Sequence, residues 1–97
     1  MPRFQLSRAA QSDLDAIADY TLQRWGKEQA RTYIDALHGR LTELAHQTLP
    51  GRKRNEVAEG LLSFPFESHV IFYTLADFGV TVVRLLHKRQ DPFRHID

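Results

Sequence analysis

The sequence predicts a two-layer α+β fold in the order βααβββ: an N-terminal strand, an antiparallel helical hairpin and a three-stranded antiparallel meander. Apolar residues recur every three or four positions from Ala10 to Thr48, and β-branched and aromatic residues then crowd the chain from Leu61 to His87. That change of period separates helices from strands. Size is the third observation. A chain of 97 residues, 42% hydrophobic and 26% charged, suits one domain spanning residues 1–97, because either half alone would bury too small a core.

Phe4 and Leu6 alternate with polar neighbours, the pattern of a short strand with one buried face, and Ser7 is placed to cap a helix. Ala10, Leu14, Ile17, Ala18, Thr21 and Trp25 then line one helical face, with Asp13 and Asp15 near its start, where negative charge suits the helix dipole. Gly26 ends this helix in a tight connection. A second helical seam runs through Ala30, Ile34, Leu37, Leu41, Leu44 and Thr48, with Tyr33 and Ala45 at its margin, until Pro50-Gly51 closes it. Gly39 inside this helix costs roughly 1 kcal/mol relative to alanine, which suggests either a close approach of the two helices there, the favoured reading, or a tolerated defect. Trp25 and Tyr33 flank the helical turn and offer themselves as partner anchors, but beside leucines and isoleucines at helical spacing they are more simply expected in the core of the hairpin.

Residues Gly51 to Glu56 read as a charged connector, followed by strands at Leu61 to Phe66, His69 to Leu75 and Val80 to His87. Pro65 lacks an amide donor, so the first of these should lie at an edge or stop there. The run Val70-Ile71-Phe72-Tyr73 suggests a central strand buried on both faces. Ala76-Asp77-Phe78-Gly79 makes the hairpin turn, and the tail Asp91 to Asp97, polar and holding Pro92, is not expected to be a strand. Phe64, Phe66, Ile71, Phe72 and Phe78 exceed what one small sheet face requires, so part of this surface is expected to serve as a docking groove.

Several functions are excluded or disfavoured. Without cysteine there is no disulfide framework and no Cys-based zinc site. His38 and His46 lie eight positions apart, which is not the adjacent-turn spacing of a metal pair, so no metal and no cofactor are expected. The chain shows no Gly-rich phosphate loop, no GxSxG elbow and no convincing carboxylate pair. Neither a signal peptide nor a membrane-length apolar run is present, making the cytoplasm the expected location. A net charge of +1 is too near balance for tight nonspecific binding to nucleic acid, so any such contact must be local.

The densest polar cluster is Arg84, His87, Lys88, Arg89, Asp91, Arg94 and His95, at the end of the last strand and in the tail. Simple alternation puts Arg84 on one face with Val82 and Leu86, and His87 and Arg89 on the other with Val83 and Leu85. An arginine in an apolar strand must reach water or a carboxylate. The cluster is therefore either a target-binding surface or a set of ion pairs, Arg84 and Arg89 with Asp91 or Glu56, that fix the strand end. Arg52, Lys53 and Arg54 form a secondary basic patch that more simply reads as a solvated loop.

Further strings occur in a telling order. They are Leu6-Ser7 with Ala10 and Asp13-Leu14, Tyr20, Trp25-Gly26, Gln29-Ala30 with Tyr33, Leu44-Ala45, Gly51-Arg52, and Arg54 with Glu56. They continue with Gly60-Leu61, Ser63-Phe64-Pro65, His69-Val70-Ile71-Phe72-Tyr73 and Arg84-Leu85-Leu86-His87 with Arg89 and Asp91. Over nearly the whole chain this series resembles the ParE branch of the RelE/ParE toxin superfamily. The resemblance implies a toxin of a type II toxin–antitoxin system that traps DNA gyrase on cleaved DNA and blocks replication. It also implies a hetero-oligomer with a ParD-like antitoxin, contact with DNA only through the gyrase complex, and no catalysis by the chain itself.

The alternative within the superfamily is a RelE-like, ribosome-dependent messenger RNA endoribonuclease, in which His87 or His95 would handle a proton. No tyrosine follows Tyr73 and the basic residues are few, which fits the gyrase branch better. A third possibility is a toxin fold that only binds its antitoxin.

Overall fold

The computed structural model describes residues 1–96; Asp97, the last residue of the expected 1–97 domain, lies outside them. The elements are β1 (Arg3–Leu6), α1 (Arg8–Trp25), α2 (Lys27–Ala45), β2 (Arg52–Lys53), β3 (Leu62–Phe66), β4 (His69–Ala76), β5 (Gly79–His87) and α3 (Pro92–His95). The βααβββ order holds, with the short β2 and α3 added to it. One sheet runs β1-β5-β4-β3-β2, with β1 parallel to β5 and the other pairs antiparallel.

Ser7 caps α1, its hydroxyl oxygen accepting from the Ala10 amide at 3.0 Å while its proton goes to the Val83 carbonyl at 2.7 Å. The cap thus also ties α1 to β5. The first turn of α1 contains no acidic residue, so the expected dipole role of Asp13 and Asp15 is not realised. Gly26, at φ +92°, donates its amide to Leu22 at 3.0 Å and lets α2 start at once, a backbone conformation that a Cβ would strain.

Along α2 the residues Ala30, Leu37, Leu41 and Leu44 are buried as their spacing predicts. The helix stops at Ala45, short of Thr48, where Gln47 turns to φ +59° and its side-chain Nε2 donates to the carbonyls of Ala76 (3.1 Å) and Gly79 (2.8 Å). A Cβ at Gly39 would meet nothing within 4 Å, so no close helix approach occurs there.

The main core lies between the helical hairpin and the sheet, where Ile17, Leu37, Leu41 and Leu44 meet Ile71, Tyr73, Val80, Val82 and Leu85. β4 is central and buried on both faces, as its apolar run suggested: Phe72 packs on the far side with Leu61, Leu86 and Ile96. Val57, Ala58, Val70 and Val83 complete that second cluster. The strands' apolar excess is therefore covered by the chain's own 54–60 segment and tail, and the groove expected from it is not present on that face.

The charged connector is not wholly loop, since Arg52 pairs with Ser63 and Lys53 with Leu62 in the β2–β3 ladder. Beyond Ser63 the β2 side of β3 is open, and Pro65 sits there, paired only with Val70 of β4. A bulge breaks the β4–β5 ladder: Phe72 faces Arg84 but Tyr73 faces Val82, leaving Val83 as the extra residue. Uniform alternation along β5 therefore fails, because Val82 and Leu85 point into the helix-side core while Val83 and Leu86 join the opposite cluster. Among the described residues, no helix is long and apolar enough to cross a membrane.

Candidate functional site

β5 outruns its neighbour β1, which pairs with it only from Gly79 to Val82. Past that point side chains take over the open edge. Ser7 holds the Val83 carbonyl, Asp13 accepts from the Leu85 amide at 3.0 Å, and Gln90 accepts from the His87 amide at 2.7 Å.

Arg84 is the hub of this edge. Its Nε and Nη2 donate to the two carboxylate oxygens of Asp13 at 2.7 and 2.9 Å, and its Nη1 donates to the His95 carbonyl at 2.7 Å. The hydrogen bonds to Asp13 push the guanidinium pKa up, so the charge is permanent. The expected partners Asp91 and Glu56 are not the ones used. With three of its five N–H donors engaged inside the fold, one on each nitrogen, Arg84 joins α1, β5 and α3.

His87 continues the theme. Its Nδ1 accepts the Arg89 amide at 3.1 Å, and the Gln90 amide donates to the His87 carbonyl at 2.8 Å, winding residues 88–90 into a tight turn. Lys88 and Arg89 are exposed on this turn, and Asp91, Arg94 and His95 are exposed after it. Asp91 caps α3 by accepting from the Phe93 amide at 3.0 Å. The seven candidates thus share one corner of the fold, but they divide: Arg84, His87 and Asp91 hold the corner together, while Lys88, Arg89, Arg94 and His95 face solvent.

The secondary patch also divides. Arg54 pairs with Glu56 at 2.8 Å and lies over the Phe72 ring at 5.6 Å, and its hydrogen bond lowers the Glu56 pKa. It secures the loop that covers the second core. Arg52 and Lys53 are exposed on β2.

A cleft of about 780 Å³ opens between the helical hairpin and the ends of β3, β4 and β5. Asp13, Ile17, Tyr20, Trp25, Tyr33, Phe66, Glu67, His69, Leu85 and His87 are among its lining residues, which include neither lysine nor arginine. Trp25 and Tyr20, 60% and 64% exposed, stand at its mouth. The core placement expected for Trp25 is therefore corrected: it follows the last buried position of α1, Thr21, and turns outward where the hairpin reverses. Tyr33 does pack against the core.

Within the cleft the Tyr33 hydroxyl and His69 Nδ1 are 3.0 Å apart, and the His69 and His87 rings meet edge to face at 5.6 Å between centroids. Burial first, and then the His87 charge, lowers the His69 pKa. Burial, with Glu67, raises that of Tyr33. Sequence spacing could not have found this trio, since α2 supplies one member and adjacent strands the other two. Among the described residues, no three His, Asp or Glu side chains gather as a metal site requires.

Comparison with known proteins adds an independent line. Residues 4–92 match the family model described as the ParE toxin of type II toxin–antitoxin system, parDE. The chain is similar to Toxin ParE1 of Mycobacterium tuberculosis (37% identity, 97% of each chain) and to Toxin ParE1 of Caulobacter vibrioides (33%, 99% of each). It is also 33% identical to Toxin ParE of Escherichia coli, over 94% of this chain and 89% of that one. The fold is similar to a solved structure titled as the chromosomal ParDE TA system from P. aeruginosa. That alignment has a TM-score of 0.69 at 20% identity, covering 90% of this chain and 96% of the other.

Proposed function

The chain belongs to the ParE toxin family of type II toxin–antitoxin systems, and on that premise we propose that it inhibits DNA gyrase by holding the enzyme on cleaved DNA. The observation that supports this reading is the division of cations at the end of β5. Arg84 is engaged within the fold, whereas Lys88, Arg89 and Arg94 are exposed and, among the described residues, have no carboxylate within ion-pair distance. The toxin acts by binding one state of gyrase more tightly than the others. It makes and breaks no bond itself. DNA contact comes only through the gyrase complex, a reading supported by an overall charge of only +1, and the toxin acts in the cytoplasm.

A ParD-like antitoxin neutralises it by direct binding in a hetero-oligomer. The cleft suits such a partner: its aromatic and aliphatic lining, free of lysine and arginine, fits the apolar face of a segment that orders on binding.

One observation favours the ribonuclease reading, namely the meeting of Tyr33, His69 and His87, which supplies from α2 the tyrosine that the sequence lacks after Tyr73. The surrounding charge opposes it. Glu67 lines the cleft and Asp13 is already held by Arg84, while no lysine or arginine is among the lining residues, so a phosphodiester there would meet neither to stabilise its transition state. The raised Tyr33 pKa also makes its hydroxyl a weaker acid.

The test is a plasmid supercoiling reaction with purified gyrase and ATP. Linear plasmid released by detergent and protease supports gyrase trapping. If supercoiling proceeds unaffected by folded protein, translation-dependent RNA cleavage is the next assay, and failure of both leaves a protein that only binds its antitoxin.

A further inference from the structure

Phe93 is 60% exposed on a helix of four residues, a length that does not hold itself in water. It is nevertheless fixed from both sides. Asp91 caps its amide at 3.0 Å, Pro92 starts the turn, the Ile96 amide closes on the Pro92 carbonyl at 2.9 Å, and the Ile96 side chain is buried in the second core. Arg84 grips the His95 carbonyl. An aromatic ring is thus presented to solvent on a braced corner of the molecule.

Its surroundings differ from those of the other exposed aromatics. Tyr20 and Trp25 stand at a cleft lined by Asp13 and Glu67 and by no lysine or arginine, and Arg24 lies over the Trp25 ring at 5.6 Å. Along the chain Phe93 instead lies between the exposed Lys88-Arg89 turn and the exposed Arg94-His95 pair, and the one carboxylate between them in sequence, Asp91, accepts the Phe93 amide as a helix cap. An exposed ring beside cations that, among the described residues, have no carboxylate partner matches the way proteins hold unstacked nucleic acid, with the ring against a base face and the cations against phosphates.

Resting on the gyrase reading above, we propose that this corner is the toxin's DNA-contacting surface. Phe93 stacks on a base at the gyrase-cleaved site, and Lys88, Arg89 and Arg94 hold the flanking phosphates. A ring seated at the break would obstruct realignment of the ends for religation. The gyrase protein contacts then lie elsewhere on the toxin.

The test places a photoreactive ring at this position, as Phe93→p-benzoylphenylalanine, in the complex of full-length toxin, gyrase and end-labelled duplex. Cross-links to DNA are the expected result. Cross-links to a gyrase subunit, or none while linear DNA accumulates, overturn the DNA assignment and leave gyrase trapping standing. If the wild-type chain releases no linear DNA, the gyrase reading falls and this proposal with it. In the same assay Phe93→Tyr should trap as wild type does, while Phe93→Leu should need about tenfold more protein, the scale of one lost base stack. Equal trapping by all three, with unchanged thermal melts, would exclude stacking.

Discussion

Asp13 and Arg84, 71 residues apart in sequence, form a two-pronged ion pair at 2.7 and 2.9 Å, and the same carboxylate accepts the Leu85 amide at 3.0 Å. Both side chains are mostly buried, 16% and 20% exposed. Removing one leaves the other's polar atoms unsatisfied at the sheet edge, a larger loss than the pair's own net worth. Asp13→Ala should destabilise the protein by about 2 kcal/mol, read by urea unfolding at pH 7. The double variant Asp13→Ala/Arg84→Ala should cost clearly less than the sum of the singles; strict additivity would show that the pair is not coupled. Arg84→Ala should reduce toxicity only as far as it lowers the melting temperature.

Two glycines should respond in opposite directions. Gly79, at φ +143°, opens β5 where an added Cβ would collide with the Arg3 carbonyl of β1, so Gly79→Ala should cost at least about 2 kcal/mol. Gly39 lies exposed inside α2 with empty space around it. Gly39→Ala should stabilise by up to about 1 kcal/mol. Thermal unfolding of both variants checks the pair, and a stabilising Gly79→Ala would contradict the β1–β5 contact.

The lowered pKa of His69 makes stability depend on pH. Burial, then the His87 charge, depresses it below the ordinary value of 6.5, so between these pKa values the unfolded chain binds more protons than the folded one. Stability from this group is full above pH 6.5 and is lost as pH falls through the folded-state pKa. Wild-type urea midpoints should therefore drop from pH 7.5 to 5.5 more than those of His69→Gln. Parallel curves would remove His69 as the source.

Truncating the tail is a poor probe of target binding, because Ile96 is 7% exposed and belongs to the second core with Leu61, Phe72 and Leu86. Ile96→Ala should cost about 2 kcal/mol, and cutting after Lys88 should cost more. If the truncated chain melted like wild type, the second core would not depend on the tail.

Local signals in the sequence were reliable where the physics is local. The Ser7 cap, the Gly26 reversal, the seam from Ala30 to Leu44, the two-sided burial of Val70 to Tyr73 and the edge position of Pro65 all follow from side-chain type and spacing. What was not legible depends on tertiary contact. The bulge at Val83 reverses the expected faces of β5, and no residue there announces it. Asp13 reads as a helix-dipole charge until β5 is laid beside α1. Trp25 fits an apolar helical face by spacing alone, yet lies where the hairpin turns away from the sheet. The cover of the second core, supplied by Val57, Ala58 and Ile96, was hidden because these residues fall in segments with no periodicity. The candidate site was legible as a cluster but not in which of its side chains brace the fold. Spacing grouped Arg84 with Lys88, Arg89 and Arg94, and only the geometry separates the brace from the exposed cations.

That separation sets the decisive experiment: gyrase cleavage of plasmid DNA with wild-type toxin and with Lys88→Ala/Arg89→Ala/Arg94→Ala, each checked by thermal melt. Wild type should accumulate linear DNA, and the triple variant should lose at least about tenfold in potency at an unchanged melting temperature. Full trapping by the equally stable triple variant, or no linear DNA with wild type, would contradict the assignment of these exposed cations to gyrase trapping.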